Sequence, residues 1–501
     1  MEKSVSLGAR LGQLAKLRQD RPAISDHRRT VTWAELDRRS NRLCRSLEGL
    51  GVKQGELVSV GLPNSVEFVE ACYGIWKAGA TPQPISHRLP PSEAEAVMDL
   101  AQTPLVIAAE GFAPGRPRRD VEDLLASCAD DSPVEDRIPP VYKAPTSGGS
   151  TGRPKLILSG RPGAMPPDAP TTYRTSGEDV MVMPGPLCHN GPFTSAFGGV
   201  NQGAHLVLLP RFDAEETLKP VARHRATWLY LVPTMMSRIW RLPEETKATY
   251  DLSSLKTVWH LGAPCPPWLK EAWIGWVGPE TLWELYAGTE AQAVCVIRGT
   301  EWLTHRGSVG KVFTGEMQAF DPDGRPLPAR KTGEIFMRRP GGAPPTYRYR
   351  GAEARTLPGG WESLGDVGFF DEEGYLYLAD RRADMILVGG VNVYPAEIEA
   401  ALDEHPLVQS SAAIGLPDED LGARVHAIVQ PRPGLTEAAL AQHLRARLAP
   451  YKLPRSYEFV AENIRDDAGK VRRGELRQAR LGPQPEGPAA NSAIPLAPEG
   501  R

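Results

Sequence analysis

Few cysteines, no long apolar run and no excess of either charge mark this sequence. Six cysteines stand among 501 residues, at positions 44, 72, 128, 188, 265 and 295. None forms a Cys-x-x-Cys pair, which excludes a thiolate zinc cage and a disulfide framework and fits buried thiols in a reducing compartment. No stretch reaches the roughly 18 apolar residues of a membrane-spanning helix. The opening "MEKSVSLGARLGQLAKLRQD" lacks the apolar core of a signal peptide, so a cytoplasmic chain is expected. With 58 basic and 61 acidic residues the net charge is −3, too little to collect nucleic acid or anionic membrane. The short clusters "RPRRD" and "DRRAD" read as solvated faces.

What is present is globular. The hydrophobic share is 41% and the charged share 24%, and the length allows about two to four domains. Thr32 and Glu35 have capping-box spacing, Leu36, Leu43, Leu47 and Leu50 recur at helical intervals, and Gly51 stops the run. "LVSVGL" predicts a buried strand. "NSVEFVEACYGIWKAGA" predicts a helix with Asn64 as N-cap and Gly79 near its end. The alternation returns in "GAHLVLLP", "AEETLKPVARHRA", "TWLYLV", "PTMMSRIWRL" and "LKTVWHLGAP". From about residue 305 strands and tight turns dominate, and a helix is predicted near Pro395. The fold expected is α/β: a large N-terminal domain of helix-covered sheets with a β-rich subdomain, then a small mobile α+β domain. Its bounds are 1–380, a hinge at 381–385, the small domain at 386–480 and a Pro-rich, disordered tail at 481–501.

Four stretches carry chemistry. "TSGGSTGRPK", residues 146–155, has the small and hydroxylated residues of a phosphate cradle, but Arg153 and Pro154 separate Gly152 from Lys155, so it is not a Walker loop. Its flanks, "PVYKAP" and "LILSG", read as strands. Without a helix end, backbone N–H groups, Ser147, Ser150, Thr151 and the Lys155 ammonium would have to hold the anion. "YAGTE", 286–290, sets a ring, a small turn, a hydroxyl and a carboxylate in succession, suited to stacking a base and offering a hard oxygen to Mg2+. "SLGDVG" places Asp366 on a predicted tight turn, where it could accept from a ribose diol. "DAGKVRR" puts Lys470 after a glycine, as a transferable point charge. Taken singly, each has an ordinary reading as a loop, a turn or a solvated lysine.

In this order, the stretches resemble the adenylate-forming superfamily of acyl-CoA synthetases, peptide-synthetase adenylation domains and luciferases. The matches are the phosphate loop at 147–155, "GAP" at 262–264, "YAGTE" at 286–290 with Ala287 in place of glycine, the ribose motif at 363–368, the hinge at 380–384 and the terminal lysine at 469–470. The resemblance covers nearly the whole chain and implies the following roles. Ser147, Gly148, Gly149, Ser150, Thr151 and Lys155 grip the β- and γ-phosphates. Gly262, Ala263, Pro264, Tyr286, Ala287 and Gly288 form the adenine slot. Thr289 touches the α-phosphate, Glu290 holds Mg2+, Asp366 and Arg381 take the ribose, and Lys470 bridges carboxylate and α-phosphate. His189 gates the acyl pocket, which Phe193, Met235 and Trp259 make apolar. Gly389 and Gly390 line the pantetheine tunnel. The departures are Ala383 at a hinge position that often carries charge, beside Asp384, and "IRDDAGK" ahead of the terminal lysine.

The resemblance implies an ATP-, Mg2+- and coenzyme A-dependent carboxylate ligase. A chain without carrier or condensation modules favours coenzyme A as acceptor, on a medium-chain fatty, aryl or steroid-type acid. "PLCHNGPF" with "LVPTMMSRIWRLP" is loosely similar to ligases for fatty and bile-type acids. No acidic residue waits for an amino group, which disfavours an amino acid. The alternatives are transfer to an amine or a carrier protein, or a nucleotide-binding regulator without turnover. No nucleic acid or membrane partner is expected, and monomer and homodimer stay open.

Overall fold

The computed structural model describes residues 4–113, 115–148, 154–167, 171–381, 384–389, 391–466 and 469–481. Gly149, Ser150 and Thr151 of the phosphate loop, Ala383 of the hinge, Gly390, and residues 482–501 of the tail lie outside them. Among the described residues, no helix is long and apolar enough to cross a membrane.

The long sheet is half parallel and half antiparallel. Its parallel half runs, in spatial order, Pro22–Ser25, His205–Leu208, Val180–Met183, Trp228–Leu231, Thr257–Leu261 and Leu282–Tyr286. Beyond Tyr286 the pairing turns antiparallel through Val294–Arg298, Ser308–Thr314, Tyr375–Arg381, Trp361–Phe370, Gly333–Arg338 and Glu316–Phe320. The parallel strands read as apolar runs because both of their faces are covered; Trp228–Leu231 and Thr257–Leu261 are buried at every position. A second parallel sheet carries Leu57–Gly61. The switch from parallel to antiparallel pairing falls between Tyr286 and Val294, where "YAGTE" lies.

Local capping follows the sequence in one helix and departs from it in the next. Trp33–Gly49 starts at Thr32, whose hydroxyl accepts from the Glu35 N–H at 3.2 Å. Val66–Lys77 is capped by Ser65, not by the expected Asn64. Asn64 is buried and used elsewhere: its amide donates to Gly185 O at 2.8 Å and its Oδ1 accepts from Leu187 N–H at 2.7 Å. It thereby braces the loop that leads to His189.

A smaller domain with its own core follows Arg381. Ile386, Val393, Ile398, Leu402, Val429 and Leu440 are among its buried residues. The helix Pro395–Asp403 packs on the antiparallel pair Val408–Asp418 and Gly422–Pro431, with Ser456–Phe459 parallel to the second strand. The helix Arg473–Leu481 closes the described chain, one residue into the expected tail. Arg473 reaches back to Asp384 at 2.7 Å and to Glu399 at 2.8 Å, so the acidic residue in the expected hinge is anchored to this last helix.

Candidate active site

The phosphate loop joins two strands, as its flanks predict, although the first strand is Thr146–Gly148 and not the "PVYKAP" ahead of it. Thr146–Gly148 pairs antiparallel with Pro154–Ser159, Lys155 standing opposite Ser147. On the other edge Pro154–Ser159 pairs with Tyr347–Arg350. That second pairing brings in a residue the sequence reading missed. The Tyr349 ring lies 4.1 Å beneath the Lys155 ammonium, and its hydroxyl donates to Glu290 Oε1. Lys155 Nζ donates to the same oxygen at 3.3 Å. Burial beside Glu290 pushes the Tyr349 hydroxyl well above its ordinary pKa, which keeps it a donor.

Glu290 is buried, and its backbone carbonyl accepts from the Thr346 hydroxyl at 2.6 Å. A Cβ on Gly288 would stand 2.7 Å from Glu290 Oε2, so the bare glycine lets the carboxylate pack under its own turn. Both side-chain donors use Oε1. Oε2 has no donor among the described residues and is a hard oxygen ligand of the kind Mg2+ takes, next to a lysine suited to phosphate.

Tyr286 and Asp366, assigned from separate motifs, meet: the phenol donates to Asp366 Oδ2 at 2.6 Å. The tight turn expected at Asp366 is instead the middle of the strand Trp361–Phe370. Gly365 takes a positive φ of 85° there, and the register slips between Val367 and Gly368. Local turn chemistry is thus absorbed as a β-bulge, which re-aims a side chain without ending the strand. The same strand sets Asp366 opposite Arg381.

Gly262 follows the strand Thr257–Leu261 with φ of 87°. His189 is the N-cap residue of the helix Asn190–Gln202, with its carbonyl accepting from Phe193 N–H at 3.0 Å. Phe193 has no exposed surface and packs among Phe68, Trp76, Tyr142 and Phe197. Trp259 is likewise closed in, its indole donating to Tyr173 O at 2.9 Å. These two rings serve the core first. Met235, on the helix Pro233–Trp240, is 3% exposed. Gly389 has φ of 56° and donates to Leu421 O at 2.9 Å within the small domain.

The small domain is docked on the large one at this site. Gly469 and Lys470 form a turn closed by Asp466, which accepts from Lys470 N–H at 2.9 Å. Gly469 is buried, and a Cβ on it would stand 2.5 Å from Thr234 Oγ1 and 3.3 Å from Val232 Cγ2. The turn that carries Lys470 is therefore packed on the segment "LVPTMM", although the two lie more than two hundred residues apart in the chain. Arg241 holds the docked state by donating to Asp403 O at 2.7 Å and to Val408 O, and Arg472 reaches Glu93 at 3.4 Å.

Sequence reading also missed Lys143. It is 8% exposed, donates to Asn190 Oδ1, and burial drives its pKa down to about 7 against the opposing charge of Glu290. The available signal was a lone lysine inside the apolar run "PVYKAP".

The pattern of the AMP-binding enzyme family matches residues 12–347, and that of the AMP-binding enzyme C-terminal domain matches residues 397–470. A 2-succinylbenzoate–CoA ligase of Bacillus cereus is 29% identical over 479 residues, spanning 93% of this chain and 98% of that protein. Two solved structures share the fold with TM-scores of 0.80 and 25% identity. One is an anthranilate CoA ligase in complex with anthranoyl-AMP, covering 96% of this chain and 98% of its own. The other is the o-succinylbenzoate CoA synthetase of Bacillus subtilis with its acyl-adenylate intermediate, covering 95% and 99%.

Proposed function

Since the chain belongs to the AMP-binding enzyme family, on the acyl- and aryl-CoA ligase branch of the adenylate-forming superfamily, we propose that it joins an aryl carboxylic acid to coenzyme A. It is an AMP-forming acid–thiol ligase, and its reaction takes ATP, Mg2+ and coenzyme A. The aryl acid is favoured over the fatty or steroid acid because the similar proteins are named for 2-succinylbenzoate and anthranilate. The single observation that carries the reading is the docking of the Gly469–Lys470 turn on Val232 and Thr234.

In the first step an oxygen of the substrate carboxylate attacks the α-phosphorus of ATP, and the bond to the β-phosphate oxygen breaks. Negative charge grows on the α-phosphoryl and on the leaving pyrophosphate. Lys470 and Thr289 face the first charge, and the loop with Lys155 faces the second. Mg2+, when bound, neutralises phosphate charge, and Glu290 is the residue that would hold it. Tyr286 and Asp366 orient the nucleoside. In the second step the thiol sulfur of coenzyme A attacks the acyl carbon and AMP leaves with the bonding pair, so Lys470 is no longer needed and the small domain can rotate away.

The test is Lys470→Ala assayed in the two half-reactions. Acid-dependent ATP–pyrophosphate exchange is expected to vanish, while supplied acyl-adenylate still yields thioester. Normal exchange in that variant would sink the assignment, as would adenylate without thioester in the native enzyme.

A further inference from the structure

Lys143 is a buried amine, only partly ionised near neutral pH, to which the mechanism above gives no task. Its ammonium has three N–H donors, and among the described residues the only acceptor for them is Asn190 Oδ1. Burying a charged group with donors unmet is costly unless something joins it there. The segment that carries Lys143 runs antiparallel to Pro154–Ser159, with Ser159 N–H donating to Lys143 O and Ile157 N–H to Pro145 O, both at 3.0 Å. Lys143 therefore stands four residues ahead of Ser147, between two regions. On one side is the charge of Glu290. On the other is Asn190, the first residue of the helix that follows His189.

Asn190 is oriented by its partners. Lys143 and the Thr194 hydroxyl, at 3.3 Å, both donate to Oδ1, which turns the Nδ2 amide the other way with no partner among the described residues. The next residue, Gly191, faces the acyl wall: a Cβ on it would stand 2.8 Å from the Tyr230 hydroxyl and 3.0 Å from Leu261 Cδ1. The pair thus offers ammonium and amide donors beside apolar surface.

Charge balance during turnover decides what those donors meet. Glu290 is committed to Mg2+ and Lys155 to the departing phosphates. The carboxylate under activation belongs to Lys470. With Glu290 so engaged, Lys143 still lacks an anion, and the acid is the reactant on its Asn190 side. We propose that Lys143 and Asn190 form a polar subsite at the acyl pocket that binds a second carboxylate on the acid substrate. This rests on the carboxylate–CoA ligase reading and narrows it from an aryl carboxylic acid to a diacid, the chemical class to which 2-succinylbenzoate belongs.

The experiment uses the full chain and two matched pairs of acids, phthalate against benzoate and adipate against hexanoate. Acyl-CoA formation is followed by mass, and binding of the same acids is followed by calorimetric titration. The native enzyme is expected to prefer the diacid in at least one pair by about tenfold or more in kcat/KM, the scale of one buried charge contact. Lys143→Met should weaken the diacid at least about tenfold more than its monoacid partner, chiefly in KM, with Lys143→Arg recovering part of the preference. Asn190→Ala should reduce the same preference, and it decides the matter if Lys143→Met does not fold. A native preference for the monoacid in both pairs, or equal losses on both members, overturns the subsite. If the titration shows Lys143-dependent diacid binding while no acid yields a thioester, the subsite stands and the ligase reading falls.

Discussion

Gly469→Ala should uncouple the two half-reactions. Gly469 has φ of 76°, a region that costs an L-residue about 1–2 kcal/mol. The added Cβ would also stand 2.5 Å from Thr234 Oγ1, so the docked turn must retreat or Thr234 must move. The backbone and steric parts together weaken docking by at least about 2 kcal/mol, which is roughly a thirtyfold fall in the adenylating state at about 1.4 kcal/mol per decade. Acid-dependent ATP–pyrophosphate exchange should drop by that factor. Thioester formation from supplied acyl-adenylate should keep its native rate, because that step proceeds with the turn withdrawn. Thr234→Gly placed in the same chain removes the steric part alone, so it should restore exchange only partly, and the non-additivity measures the contact. Exchange within about threefold of the native rate in Gly469→Ala would refute the docking argument. A parallel loss of both half-reactions would refute it equally, since that is the mark of general misfolding.

The other predictions use the same chain. Glu290→Gln keeps the shape but removes the charge offered to Mg2+, so kcat/KM for ATP should fall by about 10²–10³ and the Mg2+ requirement should shift upward; an unchanged Mg2+ titration would contradict its role. Tyr286→Phe deletes the hydrogen bond to Asp366, worth about 0.5–1.5 kcal/mol, so KM for ATP should rise roughly two- to tenfold while the thioester step is untouched. His205 is held neutral to about pH 4 by burial and the nearby His224, with its Nε2 2.8 Å from Ser25 Oγ. Between its unfolded and folded pKa values the unfolded chain binds the extra proton, so stability falls as pH drops from about 6.5 towards 4. His205→Gln should flatten that part of a denaturation series, and an unaltered slope would exclude His205 as its source.

The elements were legible where one local pattern had one use. Thr32 caps its helix, Pro233 opens another, and the alternation of apolar strands and helices marks the covered parallel sheet. Reading failed where a residue had a more distant use. Asn64 is expected to cap its helix, but its neighbour Ser65 does so, because the Gly185–Leu187 loop, more than a hundred residues away, takes the Asn64 amide. Gly365 has the conformation of a turn residue, yet the strand partners at Gly333–Arg338 and Tyr375–Arg381 carry the chain through it as a bulge.

The site divides the same way. Lys155, Glu290, Tyr286, Asp366 and Lys470 could be proposed from the sequence because each lies in a short stretch whose residue types suit phosphate, metal, base or sugar. Their mutual positions were not legible, since Tyr286 meets Asp366 through sheet pairing and the turn at Gly469 packs on Thr234 through the docking of a separate domain. Tyr349 and Lys143 had no such stretch. Tyr349 acquires its position from the pairing of Tyr347–Arg350 with Pro154–Ser159 across nearly two hundred residues. Lys143 acquires its significance from burial, which strips away the water that would make a lysine ordinary. A motif can therefore name candidate groups for the chemistry on ATP. The groups that choose the acid are set by packing around the motifs, and a buried amine such as Lys143 becomes informative only when its surroundings show which charges are already spoken for.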